Sequence, residues 1–168
     1  CAWTAFSGFF ALEDGEILDG TTVTDTALER FLEHNDDRLL RRSATIFARL
    51  EPYHLFCRKR WQELGMPEIA HPAVYYPKEK VLWERGDQFL YGPDILVAPF
   101  EEEKGETVYG PRELVLPQDS WVHLWTSRIY PGGQTVVDTK PGCPAVFYRQ
   151  NSDFARLFDT IRQMSTRL

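Results

Sequence analysis

The chain has 168 residues, 43% hydrophobic and 14% aromatic, with 25 acidic against 19 basic side chains and a formal net charge of −6. That much apolar surface excludes a disordered or fibrous chain, and the acidic balance excludes a protein whose main partner is nucleic acid, because neutralising phosphates needs a basic face. No apolar run approaches the roughly 18 residues of a membrane span and no leader-like segment opens the chain, while the scattered cysteines Cys1, Cys57 and Cys143 offer neither a disulfide framework nor a metal clasp, so no membrane partner is expected and the cytoplasm is the expected compartment.

The first ten residues, Cys1 to Phe10, are too apolar for a free terminus and read as the end of a helix packed against something upstream, which places the start of the chain inside a longer protein. Glu13 to Asp25 carries Gly15, Gly20 and threonines and reads as a loop. From Thr26, apolar residues recur at three- and four-residue steps through Leu28, Phe31, Leu32, Leu39, Leu40, Ile46, Phe47, Leu50, Tyr53, Phe56, Trp61 and Leu64. This predicts a short helix and a long one, broken near Asn35-Asp36-Asp37, disturbed at Pro52 and ended by Gly65 and Pro67. The arginines of this region, Arg38, Arg41, Arg42, Arg58 and Arg60, read as a solvated helix face.

Beyond Pro67 the pattern turns to strands at Ala73–Tyr76, Ile95–Ala98, Glu113–Leu116, Trp121–Trp125, Thr135–Val137 and Ala145–Tyr148, separated by proline and glycine turns. The spacing predicts an antiparallel sandwich or barrel. Gly132-Gly133 reads as a hairpin turn and Glu101-Glu102-Glu103 as a solvated loop tip. Phe154, Leu157, Phe158 and Ile161 predict a short terminal helix begun by Ser152 or Asp153.

Four ordered motifs narrow the reading. Asp87-Gln88-Phe89-Leu90-Tyr91-Gly92-Pro93-Asp94-Ile95-Leu96-Val97-Ala98-Pro99 is preceded by Leu50-Glu51-Pro52-Tyr53 and followed by Leu114-Val115-Leu116-Pro117 with Trp121, then by Tyr130-Pro131-Gly132-Gly133. Together they resemble the C-terminal portion of glycoside hydrolase family 31, and the stretches Trp121–Trp125, Pro144–Arg149 and Phe154–Phe158 look most like the sulfoquinovosidases of that family. The resemblance implies an α+β chain: terminal helices of a (β/α)8 barrel over residues 1–86, then an antiparallel β-sandwich with a short C-terminal helix over 87–168. It implies retaining hydrolysis of α-glycosidic bonds, which needs two carboxylates roughly 5 Å apart. Those aspartates align upstream of Cys1, so no catalytic residue is expected in this chain, which is expected to brace the barrel and to be inactive by itself. The implied partners are the upstream barrel and a sugar substrate, with self-association where the barrel is missing.

One active-site element of the family aligns inside the chain. Ala5-Phe6-Ser7-Gly8 matches the turn before an Arg-x-His, whose arginine position is Ala11 and whose histidine position is Glu13. Glu13 is therefore the candidate substrate-binding residue, and its negative charge departs from the family pattern. His34, His54, His71 and His123 lack metal-ligand spacing and read as structural, so neither a metal nor another cofactor is expected. Cys57 reads as a small buried hydrophobe, Cys143 as a turn residue, and Asp87 as a capping or pairing residue. Alternation along one strand puts Trp121 and Trp125 on the same side, as either core or, with Tyr130, a platform for a sugar face in a non-catalytic binding or assembly module.

Overall fold

The computed structural model describes residues 37–103 and 106–165. Two helices open it, α1 (Asp37–Arg49) and α2 (Glu51–Leu64). Pro52 stands in the first turn of α2, where a missing N–H has no helical partner to lose, and the N–H groups of Tyr53 and His54 both bond to Leu50 O. The proline therefore starts a new helix. Gly65 ends it, returning its N–H to Trp61 O at 2.9 Å.

Six strands form one antiparallel sheet: β1 (Ile69–Ala70), β2 (Phe89–Tyr91), β3 (Ile95–Ala98), β6 (Gly110–His123), β7 (Ile129–Thr139) and β8 (Ala145–Arg149). Their order across the sheet is β1-β2-β3-β8-β6-β7. Two short strands, β4 (Glu101–Glu103) and β5 (Glu106–Val108), make a separate hairpin. The one-turn helices α3 (Pro72–Tyr75) and α4 (Lys80–Trp83) precede β2, and α5 (Ala155–Ser165) closes the chain.

Alternation decides which layer each strand residue joins. Ile95, Val97, Val146, Tyr148 and Val122 point to one face and pack with Ile46, Leu50, Tyr53 and Cys57 of the helical region and with Phe158 and Ile161 of α5. Leu96, Ala98, Ala145, Phe147 and Trp121 point to the other and pack with Leu114, Leu116 and Val137. The central strands β3 and β8 are buried on both faces, hence their nearly unbroken apolar sequence. The second face is covered by the sheet's own long hairpin: register slips between Leu116 and Ser120, and only the part of β6 beyond the slip pairs with β8 as well as β7. That bend gives the sandwich-like shape. Gln88 completes the free edge of β6, donating to Val115 O at 2.6 Å and accepting from Val115 N at 2.9 Å.

Several sequence expectations are corrected. Ala73–Tyr75 is helical, with Tyr76 as its C-cap, because His71 caps the helix through Nδ1 and Pro72 presets the first turn. Gly132-Gly133 lies inside β7, and the hairpin turns at Leu124–Arg128 instead, where the His123 carbonyl accepts from Ser127 N. Gly132 is required there by close approach: a Cβ would lie 2.6 Å from Pro117 O and 2.7 Å from Gln118 Cα. Glu101–Glu103 forms a strand, and β6 stops at His123, which takes Trp125 out of the alternation. The terminal helix forms where expected but begins at Ala155, and Ser152 Oγ accepts from Phe154 N at 3.0 Å in the turn that precedes it.

Candidate functional site

The densest polar arrangement is the junction between the helices and the sheet, built on the motif Tyr91-Gly92-Pro93-Asp94. Tyr53, fully buried on α2, donates to Tyr91 O at 2.8 Å and accepts from Asp94 N at 2.9 Å. Gly92, at φ 56°, lets the backbone pass beneath it, since a Cβ would meet Cys57 Sγ at 2.4 Å and Tyr53 Oη at 2.5 Å. His54 bridges the same layers, one ring nitrogen paired with Tyr91 Oη and the other 2.9 Å from Phe47 O. Burial lowers its basicity and raises the pKa of the Cys57 thiol to about 12, so both stay neutral.

Asp94 ties this junction to the end of β8. Arg149 N donates to Asp94 O, and the Arg149 guanidinium lies 2.7 Å from Asp119 and 3.5 Å from Asp94. Burial pushes the Asp94 carboxyl upward against a hydrogen bond from Ser152 and the Arg149 charge, both of which favour the anion. Tyr53 thus holds the Asp94 backbone and Arg149 its carboxyl, and the arrangement is a clasp.

An open groove of about 660 Å3 separates Gly86–Phe89 from the β4–β5 hairpin. Arg112, 6% exposed, pairs there with Asp87 at 3.1 Å and with Glu101, while Arg85 pairs with Asp87 at 2.7 Å. Asp87 and Glu101 are thereby both paired with arginine. Among the described residues no three His, Cys, Asp or Glu side chains are grouped to hold a metal ion. No helix among them is long and apolar enough to cross a membrane.

Glu13, the candidate substrate-binding residue, lies outside the described residues, as do Ala11, Asp14, Cys1 and His34. The remaining histidines are held by short-range bonds: His71 also meets Arg85 O at 2.8 Å, and His123 pairs with Thr126 Oγ1 at 2.8 Å while its Nε2 is buried without a partner. Burial lowers the His123 pKa to about 4. Trp121 is fully buried in the second-face core, donating to Pro117 O, whereas Trp125 packs against the first-face core and donates to Pro144 O. The two rings therefore lie on different sides of the sheet and form no sugar platform. Arg42, read as solvated, instead stacks 4.8 Å over Trp125 and donates to Gly142 O at 2.7 Å, with Cys143 Sγ 3.4 Å away. Sequence reasoning missed this contact because its members are about a hundred positions apart.

An antiparallel sandwich-like sheet clasped to a helix pair through a Tyr-Gly-Pro-Asp turn defines the class of domain. Residues 65–152 match the glycosyl hydrolase family 31 C-terminal domain, and the chain belongs to that family. It is 35% identical over 123 residues to the sulfoquinovosidase of Escherichia coli (strain K12), which covers 73% of this chain and 18% of the relative. To the sulfoquinovosidase of Agrobacterium fabrum it is 37% identical over 123 residues, 72% of this chain and 18% of the relative. Among solved structures, a family 31 sulfoquinovosidase from E. rectale, in complex with an aza-sugar inhibitor, superposes with a TM-score of 0.77 at 28% identity, over 97% of this chain and 23% of that one. A family 31 α-xylosidase from a soil metagenome shares the fold, with a TM-score of 0.74 at 22% identity over 94% of this chain and 25% of that one. The chain thus spans 18% of the length of these two curated relatives.

Proposed function

We propose that this chain is the C-terminal part of a retaining α-glycosidase of sulfoquinovosidase-like specificity. In this reading residues 1–86 supply the last part of the catalytic barrel, residues 87–168 form the sandwich that braces it, and both reacting carboxylates are carried upstream. Retaining hydrolysis places them about 5–5.5 Å apart across the glycosidic bond, so a displacement of a barrel segment by a fraction of an ångström is felt directly in rate. The chain's contribution is then rigidity rather than chemistry. Free thiols at Cys57 and Cys143 agree with a cytoplasmic setting.

The observation that carries the bracing role is the Tyr53 clasp. One hydroxyl, acting as donor and acceptor at once, joins helix α2 to both sides of the β2–β3 turn in a site with no water access. Tyr53→Phe in the full-length protein leaves Tyr91 O and Asp94 N without that partner, which costs about 1–3 kcal/mol for each buried group. The expected outcome is a lowered unfolding midpoint and a reduced kcat with little change in KM on an α-glycoside. An unchanged midpoint and kcat would remove the bracing role.

Glu13 is proposed as the residue facing the bound sugar, by its alignment with the family histidine. Glu13→Gln is expected to change KM for the α-glycoside by more than the unfolding midpoint. A variant with wild-type KM would withdraw the assignment.

A further inference from the structure

The groove between Gly86–Phe89 and the β4–β5 hairpin shares no residue with the Tyr53 clasp, and its hydrogen-bonding capacity is one-sided. Arg112, whose side chain is 7% exposed, gives Nη1 to Glu101 Oε1 and Nη2 to Asp87 Oδ2 at 3.1 Å and to Asp87 O at 3.0 Å, and its Nε is enclosed without a partner. Arg85 Nη2 reaches the same Oδ2 at 2.7 Å and donates to Glu113 O at 3.1 Å. Each carboxylate is thus pinned through one oxygen. The other oxygens, Asp87 Oδ1 and Glu101 Oε2, have no partner among the described residues, and the two side chains are 37% and 59% exposed where they line the groove. The donors are consumed and the free positions are acceptors.

Charge and shape decide what such acceptors suit. The two guanidinium groups and the two carboxylates sum to zero, so the array is held rigid by charge-assisted bonds while presenting no net charge of its own. An anion would meet only acceptor oxygens. The walls are apolar, formed by Phe89, Phe100 and Val108, with the Phe100 ring set edge-on to Tyr109 at 5.2 Å. The volume of about 660 Å3 lies within the roughly 300–1,000 Å3 of small-molecule sites. A pyranose ring fits both features, since its hydroxyls donate around the rim and its C–H faces are apolar. We propose that this groove binds a neutral saccharide, with Asp87 and Glu101 accepting from vicinal hydroxyls and Phe100 and Val108 packing on the ring. The inference does not rest on the hydrolase reading, because the recognition chemistry is complete in the described residues. Glu103, on the hairpin side, is a carboxylate without an arginine, which makes an organic ammonium the competing occupant.

Amide hydrogen exchange of the full-length protein, with and without maltotriose or cellotriose, tests the site. Cellotriose is β-linked, so an α-glycosidase does not turn it over and its effect reports binding alone. Exchange across residues 86–89 and 99–103 is expected to slow several-fold with at least one of the two sugars. The effect should be lost in Val108→Arg, which fills the groove from a position 39% exposed and leaves Arg112 and its partners in place. Glu101→Gln keeps the shape and weakens the acceptor, and is expected to need about tenfold more sugar for the same protection. No slowing with either sugar in the wild type overturns the site, as does equal slowing in Val108→Arg. Should that variant fail to fold, an unchanged sugar requirement in Glu101→Gln overturns it instead. Slowing by n-butylammonium and by neither sugar also overturns it, since an ammonium ligand is then the occupant.

Discussion

Gly92 shows how one position can be dictated by atoms distant in sequence. Its φ of 56° already disfavours a side chain, and the space a Cβ would fill is held by Cys57 Sγ and Tyr53 Oη. Gly92→Ala is expected to cost about 3 kcal/mol, combining left-handed strain with overpacking, read as a lower unfolding midpoint of the full-length protein. Adding Cys57→Ala should recover only part of the loss, because it clears one of the two obstructing atoms. Full recovery would mean that Tyr53 does not hold its place.

His54 and His123 set a pH dependence whose sign follows from burial. Both have folded-state pKa values below the ordinary histidine value, His123 at about 4, so the unfolded chain binds more protons between about pH 4 and 6.5. Stability is fully present above about pH 6.5 and is lost as the pH falls through that window, by up to about 3 kcal/mol from His123. His123→Gln should flatten the unfolding midpoint against pH between those limits, and an unchanged slope would show that His123 is not buried in its neutral form. His71 has its place as the cap of α3, accepting from Ala73 N through Nδ1.

Among elements, the β6–β7 hairpin is where local pattern and tertiary outcome part. Its sequence reads as two short strand segments before a glycine pair and one after it, and the structure makes one long bent ribbon of them. Gly132 sits opposite the slip at Pro117 and Gln118, so its missing side chain permits the bend instead of making the turn. Gly132→Ala is expected to destabilise by about 1–3 kcal/mol through backbone displacement, which near-ultraviolet circular dichroism and the unfolding midpoint would register together. The same logic accounts for Ala73–Tyr76: β-branched and aromatic residues suit a strand locally, but a proline preceded by a capping histidine starts a helix, which packs Ala73 with Leu82 and Val115.

For the molecule as a whole, two hydrophobic layers on one sheet explain a core in which β3 and β8 are covered on both faces. Trp61 and Leu64 of α2, 58% and 62% exposed, make the chain alone adhesive. Expressed by itself, it is expected to self-associate, and the double variant Trp61→Glu, Leu64→Glu should lower its apparent mass in sedimentation velocity. A monomeric wild type would show that those side chains find cover within the chain.

The order of motifs determined the family by itself, because each records a packing requirement: a proline that begins a helix, a tyrosine that reaches a turn, a glycine beneath it, and a strand buried on both faces. Helix positions followed from a period that any buried stripe must keep, and the inertness of Cys57 from its place on that stripe. Tertiary structure alone decided that Trp121 and Trp125 belong to opposite layers, since a strand ending at His123 breaks the alternation that would have joined them. It alone decided that Arg42 stacks on Trp125 beside Cys143, and that Asp87 answers both Arg85 and Arg112. Those pairings depend on where a bent sheet brings distant segments together, and neither period nor propensity along a chain carries that distance.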